Sequence, residues 1–129
     1  MYRTQIRCIL EFAVAAWNAG LTKKQINQIE RVQKCTLAVI LDRNYISYNH
    51  ALHLTGLKTL SERRQDLCLK FAKKALKHDK FSSWFCPNEE AGMNTRSLKT
   101  SLKPVQHRTD RFANSPIAYL TRLLNENSK

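Results

Sequence analysis

Between Thr59 and Lys77 the sequence leaves little freedom, because caps, apolar spacing and charge all specify one amphipathic helix. Thr59 followed three residues later by Glu62 is a capping-box pattern, in which each side chain receives the other residue's backbone N–H. Leu67, Cys68, Phe71, Ala72, Ala75 and Leu76 then recur at three- and four-residue steps and trace one buried stripe. Arg63, Arg64, Lys70, Lys73, Lys74 and Lys77 fall opposite, with only Glu62 and Asp66 as acidic relief. Phe81, Trp84 and Phe85 follow at once, placed to fold back as a hydrophobic lid, and Pro87 ends the compact part.

The same grammar recurs along the chain. Tyr2, Ile6, Ile9, Leu10, Ala13, Ala16 and Trp17 place a first helix up to Gly20. No capping residue precedes it and Arg3 sits in its first turn, where the helix dipole disfavours a cation, so this helix reads as one that continues upstream. Thr22 with Gln25 caps a second helix through about Leu41, with Ile26, Ile29, Val32, Leu37 and Ile40 inward and Lys23, Lys24, Arg31 and Lys34 elsewhere. A short helix from Ser47 to about Thr55 turns Tyr48, Ala51, Leu52 and Leu54 inward and stops at Gly56. Asn88 to Ser115 is polar and irregular. Ser115-Pro116 opens a last helix with Ile117, Leu120, Leu123 and Leu124 on one face. No alternating stretch is long enough for a sheet. The expected fold is all-α: a small bundle of about four helices over residues 1–86, an irregular basic extension over 87–114, and a short C-terminal helix over 115–129.

Charge narrows the function classes. The chain has 129 residues, enough for one modest core, and its 22 Lys and Arg against 10 Asp and Glu give a formal charge of +12. Such a surface is drawn to polyanions, of which nucleic acid is the commonest, with an anionic membrane surface or mere solubilisation as the plainer alternatives. Cys8, Cys35, Cys68 and Cys86 are widely spaced and form no Cys-x-x-Cys motif. Three of them sit within helical apolar patterns and read as small buried hydrophobes, which points to an intracellular protein, nuclear or cytoplasmic. No run approaches the roughly 18 apolar residues of a membrane span, so a soluble protein without a membrane segment is expected.

Catalytic constellations are missing from this stretch. Two-metal nucleotidyl transfer needs clustered carboxylates holding cations about 4 Å apart, yet Asp42, Asp66, Asp79 and Asp110 stand alone, and Glu89-Glu90 lies in a polar stretch after a proline. His50 and His53, three apart, could share a helical face, but no second ligand pair sits at finger-like spacing. Gly20, Gly56 and Gly92 are each alone, so there is no phosphate loop. No catalytic residue, metal ligand, cofactor or small-molecule substrate is expected for the chain by itself. What remains is the basic face of Arg63, Lys70, Lys73, Lys74 and Lys77, with Arg31 and Lys34 nearby if the helices pack side by side. Spaced cations on a helix suit a phosphate backbone, and a solvated charged face is the plain alternative.

Several motifs in order carry a resemblance. Arg7, Leu10, Glu11, Phe12, Ala13 and Trp17, then Leu21-Thr22, then Ile29, Glu30, Gln33, Lys34, Leu37 and Ile40 resemble a tract that follows the catalytic palm in reverse transcriptases of non-LTR (LINE-type, jockey-like) retrotransposons. The similarity continues through Tyr48, Ala51, Leu52, Leu57, Leu60, Glu62, Arg63, Arg64, Leu67, Phe71, Ala72 and Lys73 to Ser115, Tyr119, Leu120 and Leu123-Leu124-Asn125. Departures are Cys8 where proline is frequent, Phe12 in a tyrosine place, and Cys35 and Ala38 where basic residues are frequent. The resemblance implies a fragment of an RNA-directed DNA polymerase of a transposable element: a thumb-like helical region that closes on template and primer. The magnesium and catalytic aspartates would belong to the parent polymerase's palm, and the missing palm and fingers would be partners alongside RNA, DNA or their hybrid. A stand-alone basic helical module that recognises a protein through Phe81, Trp84 and Phe85 is the alternative.

Overall fold

The computed structural model describes residues 2–87 and 102–127. Among them the fold is all-α. A π-helical turn at Tyr2–Ile6 leads into α1 (Arg7–Glu11), α2 (Val14–Trp17), α3 (Lys23–Leu41), α4 (Tyr48–Thr55), α5 (Leu60–Lys77), α6 (Asp79–Ser82), α7 (Asp110–Ala113) and α8 (Pro116–Glu126). The only β pairing in the described residues is an isolated antiparallel bridge between Pro87 and Leu102. The chain divides into two compact units, 1–14 with 21–66 and 15–20 with 67–129, so the division falls inside α5 rather than after Cys86.

The first unit is built on α3. Thr22 caps it as its sequence requires: the hydroxyl accepts from the Gln25 N–H at 3.3 Å and the Gln25 side chain accepts from the Thr22 N–H at 2.9 Å. Ser47 caps α4 by accepting from the His50 N–H, and Gly56 ends it with φ of 60°, a left-handed conformation that a Cβ would strain. Leu37, Ala51 and Leu52 form the core between α3 and α4, with Leu41, Tyr45, Tyr48 and Leu57 packed around it.

Two polar residues of α3 share its inner face. Gln33 is buried, accepts from the Tyr2 hydroxyl at 2.9 Å and donates to the Lys58 carbonyl at 3.1 Å. Glu30 accepts from the Tyr48 hydroxyl and from the Leu60 N–H at 3.2 Å, which fastens α4 and the first residue of α5 to α3. The inner face therefore runs Ile29/Glu30, Gln33, Leu37 and Leu41, whereas Val32 and Ile40, expected inward, are exposed. Leu54, also expected inward, is exposed on α4.

The opening helix is not continuous. The π-turn takes one residue more per turn than an α-helix and rotates the apolar stripe out of phase, so that Tyr2 is buried but Ile9 is 77% exposed. A break follows at Phe12, with ψ of 128°, and Ala13, with φ of 48°. Val14 is buried in place of the expected Ala13 and Ala16.

In the second unit Cys68, Ala72 and Ala75 of α5, Phe85, Leu102, and Leu120, Thr121 and Leu124 of α8 are buried. Phe71 and Leu76 of the expected stripe are instead exposed. Ser115 caps α8 with Pro116 in its first turn, as the sequence specifies. The compact part continues past Pro87, for the Lys103 N–H donates to the Cys86 carbonyl at 2.9 Å. Asn125 holds both backbone groups of Leu102, each at 3.1 Å, in the manner of a strand neighbour. Of the stretch read as irregular, 88–101 lies outside the described residues, and a short helix capped by Thr109 stands at Asp110–Ala113. Asn18 donates to the Tyr119 hydroxyl at 3.3 Å, joining residues 15–20 to α8. None of the helices described is long and apolar enough to cross a membrane.

Leu37→Ala should lower unfolding free energy by about 2–4 kcal/mol, whereas Ile40→Ala should change it by less than about 1 kcal/mol; equal losses in urea melts would restore the face expected from the sequence. Burial raises the hydroxyl pKa values of Tyr2, Tyr48 and Tyr119, with the Glu30 hydrogen bond adding to the shift at Tyr48. Their protons are lost from the unfolded chain first, so stability should be flat near neutrality and fall as pH rises through about 10, with a shallower fall in Tyr48→Phe.

Candidate nucleic-acid interface

The seven cations marked by the sequence fall into two groups, three in the first unit and four in the second. Arg31 is exposed on α3. Lys34, one turn on, lies with its Nζ 5.0 Å from the centre of the Tyr48 ring, a cation–π contact that anchors the ammonium beside the Glu30–Tyr48 pair. Arg63 is held differently. Its Nε lies 3.1 Å from Glu11 Oε1, and Glu11 also binds Arg7 four residues earlier at 2.6 Å. One carboxylate thus sits between two guanidiniums, all three at least half buried, and holds the Arg63 side chain within the fold while the trio keeps a net positive charge. Glu11, which the sequence allows as a partner for a cation or as a surface residue, is the ion-pair partner of Arg7, and Trp17, expected as a packing residue, is half-buried.

Lys70, Lys73, Lys74 and Lys77 are all exposed along α5 in the second unit. Spacings of three, four and seven put them on neighbouring positions of one helical face. Lys74 and Lys77 lie in the last turn of α5, where cations are favoured by the helix dipole. From Leu67 to Pro87 the chain carries five lysines, Lys80 included, and Asp79 as its only acid. No opposing carboxylate within this stretch matches what Glu11 does for Arg63.

Some residues with consequences here escaped the sequence reading. Arg64, grouped with the exposed cations, is 1% exposed: it continues the step of four that links Leu60, Arg64, Cys68 and Ala72. That four-residue step was visible, but the residue type argued against it. The aromatic segment after α5 is only partly a lid. Phe85 is buried, whereas Trp84 stays 40% exposed and packs on Phe81 with ring centroids 4.8 Å apart.

His50 is half-buried and His53 exposed on α4, and among the described residues no three His, Cys, Asp or Glu side chains gather as a metal site. Cys68 is buried, while Cys8, Cys35 and Cys86 are exposed, which departs from the reading of Cys8 and Cys35 as buried hydrophobes. Comparison with known proteins gives no match to a family model, a curated protein or a solved structure.

The two kinds of cation separate by substitution. Arg63→Gln should lower stability by about 1 kcal/mol by leaving Glu11 with one partner, and should leave any nucleic-acid affinity within about twofold, because its guanidinium is held by Glu11 and largely withdrawn from the surface. Lys74→Gln should do the reverse, weakening binding without moving the melt. A larger binding loss in Arg63→Gln than in Lys74→Gln would place the contact in the first unit.

Proposed function

We propose that the chain is the thumb-like, post-palm region of a non-LTR retrotransposon reverse transcriptase and that its own activity is to hold nucleic acid through phosphate contacts. Support for the parentage is the ordered resemblance from Arg7 to Asn125. Support for the binding role is the charge of +12 and, above all, the row Lys70, Lys73, Lys74 and Lys77, exposed on one side of α5. An exposed lysine row repays phosphate by releasing condensed counterions, and it does so without reading sequence. Arg31 and Lys34 on α3 are a second cationic group, and Arg63 joins the contact only where Glu11 releases it. The reading gives this chain no catalytic residue and no metal. Polymerisation would belong to the palm, with its magnesium and aspartates.

The alternative is a stand-alone module that recognises a protein, and the exposure of Trp84 beside Phe81 is what favours it. One titration separates the two. Under the polymerase-fragment reading, RNA, DNA and an RNA–DNA hybrid bind with an affinity that falls steeply and log-linearly with salt, and no primer is extended. Neutralising Lys70, Lys73, Lys74 and Lys77 together to Gln should flatten the log–log salt slope by roughly three. Undetectable binding at low salt would favour the protein-recognition module, and an unchanged slope would move the contact elsewhere.

A further inference from the structure

His78, Phe81 and Trp84 follow one another at steps of three just after the lysine row, and their rings form a short series on the surface of the second unit. The His78 and Phe81 centroids are 5.2 Å apart and those of Phe81 and Trp84 4.8 Å apart, with the planes tilted by 45° and 60°. The backbone fixes this spacing. The His78 ring accepts from the Lys80 N–H at 3.3 Å as the cap of α6, and the Trp84 and Phe85 N–H groups close the following turn on the Phe81 and Ser82 carbonyls, each at 3.0 Å. Phe85 supplies the buried anchor of the turn, so the packing of this segment does not require Trp84 to be covered.

We propose that Phe81 and Trp84 form a platform on which bases of a single-stranded nucleic acid stack, while Lys74, Lys77 and Lys80 hold its phosphates. The inference rests on the nucleic-acid reading above and adds the kind of strand and the contact. Charge and ring chemistry together favour this occupant. A folded protein partner would cover an apolar ring with apolar surface, but here cations lead into the rings along the chain, with Lys77 before His78 and Lys80 before Phe81. Stacking platforms edged by cations are how proteins hold single strands without reading sequence, since every base has a π-face and every nucleotide a phosphate. A duplex keeps its bases stacked on one another and offers the same phosphates without the faces.

The test uses the full chain, a labelled oligo-dT of about 15 nucleotides and a duplex of the same length. Wild type should bind both, with tryptophan emission quenched by the single strand. Trp84→Ala should weaken oligo-dT binding about tenfold and duplex binding less than about twofold, with the salt slope unchanged. Trp84→Phe, which keeps an aromatic face and guards against a folding defect, should retain most of the affinity but lose most of the quench, since only Trp17 would remain. If both variants bind oligo-dT as wild type does and Trp84→Phe keeps the quench, the platform is wrong and the phosphate contact alone stands. If wild type binds neither strand at low salt, the nucleic-acid reading falls with it. If poly-glutamate binds as tightly as oligo-dT and Trp84→Ala weakens both alike, the surface takes acidic protein instead.

Discussion

Glu30 is the residue on which the first unit turns. Its carboxylate lies on the inner face of α3 and accepts from the Tyr48 hydroxyl of α4 and from the N–H of Leu60, where α5 begins. Three elements are therefore tied to one side chain, while Gln33, three residues on, ties the N-terminal Tyr2 and the loop carbonyl of Lys58 to the same helix. Apolar packing of Leu37, Ala51 and Leu52 brings α3 and α4 together. The polar pair makes the arrangement specific, because each buried partner left without its hydrogen bond would cost about 1–3 kcal/mol. Lys34 over the Tyr48 ring closes this group on its solvent side.

That arrangement explains what the sequence disclosed and what it hid. Helix starts were legible because capping is local: Thr22 with Gln25, Ser47, and Ser115 with Pro116 each act within four residues and each caps the helix assigned to it. Gly56 was legible for the same reason. The phase of the buried faces was less so, because polar residues at core positions look like surface. Gln33, Glu30 and Arg64 occupy inward positions that a hydrophobic count assigns to Val32, Ile40 and Phe71. The N-terminal break at Phe12 and Ala13 had no local signal, since neither residue favours a left-handed or broken conformation.

The candidate site shows the same division. That a basic face would exist on α5 followed from composition and spacing alone. Which cations remain available did not, because the Glu11–Arg63 pair joins residues 52 positions apart. Sequence distance concealed the partner of Arg63 and which of the many cations Glu11 holds. In the proposed phosphate contact the weight moves away from Arg63 and toward Lys70, Lys73, Lys74, Lys77 and Lys80, followed directly by the Phe81 and Trp84 rings.

The most direct measurement is a map of backbone amide shifts in the labelled full chain as a single-stranded oligonucleotide is added at low salt. The perturbed amides should lie on α5 from Lys70 to Lys77 and on through Trp84, with the Trp84 indole N–H among the largest shifts. Perturbations confined to the exposed face of α3 around Val32, Val39 and Ile40, or none at all, would contradict this placement.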